Sequence, residues 1–243
     1  VQNRIVVHDN GTMSAVWTMS AALDAAWADR GTGYNYFDGS NWTISAPSPP
    51  FPNPRIEDSR VGWPSIIALG NGGTSVEAVQ IAINILEDST HFNAGKGSVF
   101  TSAGTHELDA SIMNGENVQA GAVAGLTNIK NPIDAAIAVM EHSPHVFLIG
   151  KGAEEFAVAH GMETVPQSYF YNEDRYNEHI EDLHEKNKKF GTVGAVAIDK
   201  NGNIAAGTST GGMTNKRFGR VGDVPVIGAG TYAENGVGGL SAT

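Results

Sequence analysis

Cysteine is missing altogether from the 243 residues. Its absence excludes disulfides, thiolate metal sites and a cysteine nucleophile. It leaves the compartment open, because a cysteine-free chain suits either redox environment. Positive charge is scarce as well: 15 Lys and Arg against 26 Asp and Glu give a formal charge of −11. That balance argues against a nucleic-acid partner and does not favour a phosphate substrate. No apolar run approaches the roughly 18–20 residues of a membrane span. The opening Val1-Gln-Asn-Arg4 lacks the pattern of a signal peptide. What remains is an ordinary globular balance, 41% hydrophobic and 17% charged, long enough for one domain with a real core or one domain plus a fragment.

The composition breaks near residue 73. All four tryptophans, Trp17, Trp27, Trp42 and Trp63, and six of the ten prolines precede it. The run from Ala46 to Pro54 holds five prolines and reads as an extended loop. Short strand-like pieces, Arg4–His8 and Ser14–Thr18, and an aromatic turn over Gly31–Gly39 give residues 1–73 an irregular β/loop character. After Gly73 helices and strands alternate. Thr74-Ser-Val-Glu77 is a capping box that opens a helix with Val76, Val79, Ile83 and Leu86 on one face. Asn131-Pro132 opens a second helix, turning Ile133, Ala136, Ile137 and Met140 inward. Val146–Ile149 reads as a short buried strand, and Gly152–His160 as a third helix closed by Gly161. Residues 167–190 are polar and weakly periodic, a mobile linker with one helix at most, and the charge cluster Glu173–Lys189 reads as a solvated face.

Gly191-Thr192 begins a strand directly after that linker. Lys200-Asn201-Gly202 is a hairpin signal, with the return strand over Asn203–Thr210. A three-residue loop with Gly202 in the left-handed region pairs residues whose numbers sum to 402 and sets Thr192 opposite Thr210. A two-residue Asn-Gly turn gives 403 and sets Thr192 opposite Gly211. Either register brings Thr192 to Thr210-Gly211-Gly212. A threonine hydroxyl is a poor nucleophile without a base. Its own α-amine, once freed by cleavage before the threonine, has a pKa of about 7.7–8.0 and suits that work. Gly191 offers little hindrance to such a cleavage. The same residues also read as a β-branched threonine that merely opens a strand.

The residues from 74 on resemble the plant-type asparaginase and isoaspartyl aminopeptidase family, threonine-type N-terminal-nucleophile hydrolases. The resemblance runs in order through Ile85–Asp88, Phe92-Asn-Ala-Gly-Lys-Gly97, His106-Glu-Leu-Asp-Ala-Ser-Ile-Met-Asn-Gly115, Ala120–Gly125, Ser143–Val146, Gly191–Ala197, Thr208-Ser-Thr-Gly-Gly-Met-Thr-Asn-Lys216, Gly219-Arg-Val-Gly-Asp223 and Gly228–Tyr232. It implies an α/β fold, an αββα sandwich made as a precursor that splits between Gly191 and Thr192. It also implies hydrolysis of the β-amide of L-asparagine or of β-aspartyl peptides. In this resemblance Thr192 is the nucleophile and Thr210 orients it. Arg220 and Asp223 grip the substrate's α-carboxylate and α-ammonium, as a guanidinium fork and a carboxylate are suited to do. Gly211, Gly212 and Asn93 line the substrate site, and Thr243 matches a threonine that helps bind the oxyanion. Backbone carbonyls of Leu86, Glu87, Ser89, Phe92, Ala94 and Lys96 match a loop that holds a structural sodium ion. No cofactor is required for the chemistry, and cleaved units are expected to pair as a homodimer.

Two stretches depart from the family. His8 is followed by Asp-Asn-Gly where the family has Gly-Gly-Ala-Gly, and residues 1–73 instead weakly resemble secreted β-propeller-like proteins. The family continues beyond the position of Thr243. These departures lead to the expectation of a sandwich incomplete at both ends. They keep open an inactive chimera, or a secreted binding or scaffold module built on the aromatic N-terminal half. Two weaker signals fail on context. Gly228–Ala233 mimics a dinucleotide fingerprint, but a turn rather than a helix follows. His142 and His145 have metal-like spacing, but Pro144 intervenes.

Overall fold

The computed structural model describes residues 5–7, 13–19, 31–37, 40, 73–182 and 191–242. The chain divides into two compact units, Val1–Gly73 and Thr74–Thr243. In the first, β1 (Ile5–Val7), β2 (Met13–Met19) and β3 (Gly31–Phe37) form an antiparallel sheet in that order. Strand β3 occupies most of the stretch read as an aromatic turn. Tyr34, Tyr36 and Phe37 favour an extended backbone, and all seven residues of β3 pair with β2, from Met13↔Phe37 to Met19↔Gly31.

The second unit opens with α1 (Ser75–Glu87). Its capping box is closed on both sides: Glu77 N–H donates to Thr74 Oγ1 at 3.2 Å, and Thr74 N–H donates to Glu77 Oε2 at 2.7 Å. Then follow β4 (Leu108–Asn114), β5 (Gln119–Leu126), α2 (Pro132–His142), β6 (Phe147–Ile149), α3 (Gly150–Ala159), α4 (Glu173–Asp182), β7 (Val193–Ile198), β8 (Ile204–Thr210), β9 (Thr231–Glu234) and β10 (Gly238–Ser241). Five strands make one mixed sheet in the order β6-β5-β4-β8-β7. Only β6 runs parallel to its neighbour, and α2 supplies the crossover that a parallel pair requires.

Side-chain alternation gives this sheet two different faces. One carries Ala110, Ile112, Val123, Val193 and Ala205 and packs against α1 and α2, with Val79, Ile83, Ile133 and Ala136 fully buried. Two glycines let the helices sit close. An added Cβ at Gly207 would lie 2.7 Å from Val79 Cγ1, and one at Gly121 only 2.0 Å from the Ala136 carbonyl oxygen. The opposite face carries Met113 and Ala206 against Ala233, beside a buried cluster of hydroxyls. Ser111 Oγ lies 2.8 Å from Thr231 Oγ1. Thr208 Oγ1 lies 2.7 Å from Thr231 Oγ1 and 2.8 Å from Ser241 Oγ. The β9–β10 ribbon therefore docks by satisfied polar groups as much as by apolar area. The result is a helix layer, a five-stranded sheet and a second β-layer.

Three expectations need correction. Strand β6 is not buried: Phe147 and Ile149 are exposed, because it is the sheet edge and only Leu148 packs on the core. Helix α3 begins at Gly150, two residues earlier than its pattern suggests. Residues 167–182 are no mobile linker, because their aromatic and polar side chains find partners. Phe170 is fully buried in the core, and Gln167 donates to the carbonyls of His106 and Thr127. Arg175 and His179 of α4 are buried too, whereas Glu173, Asp174 and Glu181 are exposed, so the described part of the charged stretch keeps the solvated face expected of it. Residues 183–190 lie outside the described residues.

Candidate active site

The hairpin β7–β8 decides the register. Asp199 N–H donates to Asn203 O at 2.9 Å, Gly202 N–H to Asp199 O at 3.0 Å, and Gly202 has φ +85°. This is the three-residue loop, and it pairs Val193 with Ser209. Thr192 consequently stands opposite Thr210 rather than Gly211. Its Oγ1 donates to Thr210 Oγ1 at 3.0 Å, and Gly212 N–H donates to the same oxygen at 3.0 Å.

Asn93 ties this hairpin to the loop after α1. Its backbone N–H donates to the Gly191 carbonyl at 3.2 Å, and its carbonyl accepts Gly211 N–H at 3.0 Å. The Asn93 amide donates to Gly212 O at 2.7 Å, while its Oδ1 accepts Val99 N–H at 3.0 Å. Asn93 is almost wholly buried, and its φ is not positive. Behind it, Ser98 Oγ lies 3.2 Å from His106 Nδ1. Burial lowers the His106 pKa to about 4, so this ring is neutral and supports the loop without carrying charge.

Arg220 and Asp223 lie on the exposed loop between β8 and β9. The Arg220 guanidinium folds over Gly222, where an added Cβ would meet Nη1 at 2.9 Å. The loop is fastened from below, because Ser111 Oγ donates to the Val224 carbonyl and Thr208 Oγ1 to Gly230 O. Lys216 in the same loop is buried: its Nζ donates to Glu107 O at 3.1 Å, and an added Cβ at Gly212 would sit 3.2 Å from that Nζ. Helix α4 braces both sides of the site. Arg175 Nε donates to Gly97 O at 3.0 Å, the His179 ring hydrogen-bonds Asn215 Oδ1, and Asn215 Nδ2 donates to His179 O at 3.0 Å. Thr243 lies outside the described residues.

The loop Leu86–Lys96 wraps tightly round two glycines. An added Cβ would meet Glu87 O at 2.4 Å from Gly95, and Phe92 O at 2.1 Å, Ser89 O at 2.9 Å and Thr90 O at 2.9 Å from Gly97. Backbone carbonyls thus crowd around Gly95 and Gly97, which leaves no room for a side chain at either position. Leu86 O and Ala94 O accept Ser89 N–H and Gly97 N–H, and the Lys96 ammonium sits 5.3 Å from the Tyr169 ring centroid. Among the described residues no three His, Cys, Asp or Glu side chains gather as for a metal ion. His142 stacks on His160.

Sequence reasoning missed the carboxyl groups at this site. Glu87 entered only through its carbonyl, yet its side chain is fully buried. Oε1 accepts from Ser209 Oγ at 2.6 Å and from Ile133 N–H at 3.1 Å, and Oε2 from Asn131 Nδ2 at 3.2 Å. Burial nevertheless pushes its pKa up to about 8. Asp109 is buried as well, directly across the sheet from Thr210. Its one visible signal is an aspartate inside an otherwise small and apolar strand, Leu108-Asp-Ala-Ser-Ile-Met113.

Helices on one face of a mixed sheet, a second β-layer on the other, and a threonine heading a strand at their edge are the arrangement of the N-terminal-nucleophile hydrolases. Comparison with known proteins narrows this. The family model described as Asparaginase matches residues 64–243, reaching back ten residues before the compositional boundary at 74. The chain belongs to this asparaginase family. It is 49% identical over 185 aligned residues to the isoaspartyl peptidase of Escherichia coli, covering 71% of this chain and 58% of that protein. It is 47% identical over 182 residues to the isoaspartyl peptidase/L-asparaginase of Homo sapiens, covering 72% and 59%. The chain thus spans a little under three fifths of the length of these relatives. The β-propeller resemblance of the opening residues finds no support in these comparisons.

Proposed function

We propose that this chain carries the machinery of a self-processing amidohydrolase that cleaves the β-amide of L-asparagine, of β-aspartyl peptides, or of both. The observation that carries the reading is the pairing of Thr192 Oγ1 with Thr210 Oγ1 at 3.0 Å, beside a Gly191 carbonyl that accepts Asn93 N–H at 3.2 Å. The names of the relatives, isoaspartyl peptidase and isoaspartyl peptidase/L-asparaginase, agree with it.

In the precursor, Thr192 Oγ1 attacks the Gly191 carbonyl carbon. The developing oxyanion meets the Asn93 N–H, the carbon–nitrogen bond breaks, and the ester that forms is hydrolysed. The freed α-amine of Thr192 then serves as base for its own hydroxyl. That hydroxyl attacks the substrate's β-carbonyl, ammonia or a peptide amine leaves, and water releases aspartate. Arg220 and Asp223 hold the substrate's α-carboxylate and α-ammonium, with Gly211 and Gly212 lining its path and Thr243 assisting at the oxyanion. The carbonyls of the Leu86–Lys96 loop would hold a sodium ion that fixes the loop bearing Asn93. Pairing of cleaved units into a homodimer belongs to the same reading.

Intact mass tests the first step, and ammonia release from asparagine or aspartate release from a β-aspartyl dipeptide tests the second. The purified protein should give two pieces, residues 1–191 and 192–243. Thr192→Ala should stay one chain, since it has no hydroxyl for the acyl shift. Splitting of the Ala variant at the same bond would assign the cleavage to an outside protease and sink the mechanism.

A further inference from the structure

Thr210 Oγ1 is already an acceptor twice, from Thr192 Oγ1 and from Gly212 N–H, each at 3.0 Å. A hydroxyl has two lone pairs and one hydrogen. Both lone pairs are used, and the hydrogen has no acceptor among the described residues. Asp109 is the residue directly opposite Thr210 in the β4–β8 ladder. Directly opposed residues share a face with Cβ atoms roughly 4.5–5.5 Å apart. The next row confirms which face this is, because Ser111 and Thr208 both reach Thr231 of the ribbon. Asp109 has no solvent exposure. Its Oδ1 accepts Gly125 N–H at 2.8 Å, whereas its Oδ2 is buried with no partner among the described residues. A buried carboxylate oxygen without a donor is costly and rare. A hydroxyl hydrogen without an acceptor and a carboxylate oxygen without a donor therefore lie at one paired position.

We infer that Asp109 is a positioning residue for the nucleophile, taking the Thr210 hydroxyl hydrogen directly or through one water and so keeping the Thr210 lone pairs turned to Thr192 and Gly212. The inference rests on Thr192 as the nucleophile and deepens that reading. Burial raises the Asp109 pKa, Lys216 and Arg220 oppose that rise, and Glu107 adds to it. The demand on the carboxylate is greatest in the precursor. There the Thr192 nitrogen is still an amide, no α-amine can act as base, and the hydroxyl depends on Thr210 for its orientation. Self-cleavage should thus need Asp109 more than substrate turnover does.

Asp109→Asn tests this, because the amide keeps an oxygen for Gly125 N–H and nearly the same volume, but offers Thr210 a donor. Freshly translated chain is followed for self-cleavage by gel, in the Thr210 and Thr210→Val backgrounds. Misplacing a reacting group can cost about 10²-fold. Asp109→Asn should slow cleavage roughly 10–100-fold with Thr210 present and add nothing in Thr210→Val. In cleaved enzyme KM for asparagine should hold. Equal slowing in both backgrounds, or none, overturns the inference. Should the parent chain fail to cleave at all, the proposed function fails separately. Asp109 is then judged on the Thr192→Ala chain by urea unfolding. Non-additive midpoint shifts for Asp109→Asn and Thr210→Val support the pairing, and additive shifts refute it.

Discussion

Glu87→Gln is expected to remove a pH dependence of stability that the fold itself creates. The carboxyl ends α1, reaches the first turn of α2 at Ile133 N–H, and holds Ser209 of β8. It therefore joins three elements of the helix face of the sheet, with no cation paired to it among the described residues. Burial raises its pKa from 4.5 to about 8, the Ser209, Ile133 and Asn131 hydrogen bonds oppose that rise, and Asp134 adds to it. A carboxyl whose folded pKa is raised binds its proton more tightly in the folded state. Its contribution is thus fully present below the unfolded pKa and lost as pH rises through the folded one. A rise from 4.5 to about 8, at roughly 1.4 kcal/mol per pH unit, sets a ceiling of about 5 kcal/mol on that loss. The α2 N-terminus favours the anion and draws the true figure below the ceiling. Gln is neutral throughout, and its oxygen can accept from Ser209 and Ile133 while Asn131 turns its amide. Urea unfolding of parent and variant from about pH 5 to about pH 9 checks this. The variant should gain on the parent steadily as pH rises and be the more stable above about pH 8. Parallel curves would mean that Glu87 is ionised at every pH and would refute the reasoning.

Arg220→Ala should raise KM for asparagine and leave self-cleavage intact, because the Gly191 peptide bond needs no carboxylate clamp; intact mass and steady-state kinetics separate the two effects. Equal loss of cleavage would give Arg220 a folding role instead. Gly121→Ala should be the costlier of the two glycine changes beneath the helices, since its Cβ would meet backbone, Ala136 O at 2.0 Å and Met140 N at 2.5 Å, and α2 must move. Overpacking of this kind costs about 1–3 kcal/mol or somewhat more, read as a lowered urea midpoint. Gly207→Ala meets chiefly the ends of Val79 and Ile83 side chains, at 2.7 and 3.0 Å, with its nearest backbone contact, Ser111 O, at 3.3 Å, and should lose less.

Local chemistry was legible in the sequence wherever the cause lies within a few residues. The Thr74–Glu77 box, Pro132 at the head of α2 and the left-handed Gly161 after α3 follow from capping alone. Turn geometry likewise narrowed the partner of Thr192 to Thr210 or Gly211, because a hairpin loop fixes its ladder. Matching motifs carried the family and its candidate nucleophile. Choosing the three-residue loop, and with it Thr210, needed the observed φ of Gly202 and its hydrogen bonds. The sequence could not reveal that Glu87 and Asp109 are buried, since a carboxylate at the end of an amphipathic helix or in a strand is equally at home in water. Their burial follows from which elements close over them: α2 and β8 around Glu87, and the β8 ladder with its partner loops around Asp109. The polar stretch from 167 to 182 was misread for the same reason. Its partners, Thr127, Gly97 and Asn215, lie 36 to 78 residues away in the chain, and only tertiary packing brings them together.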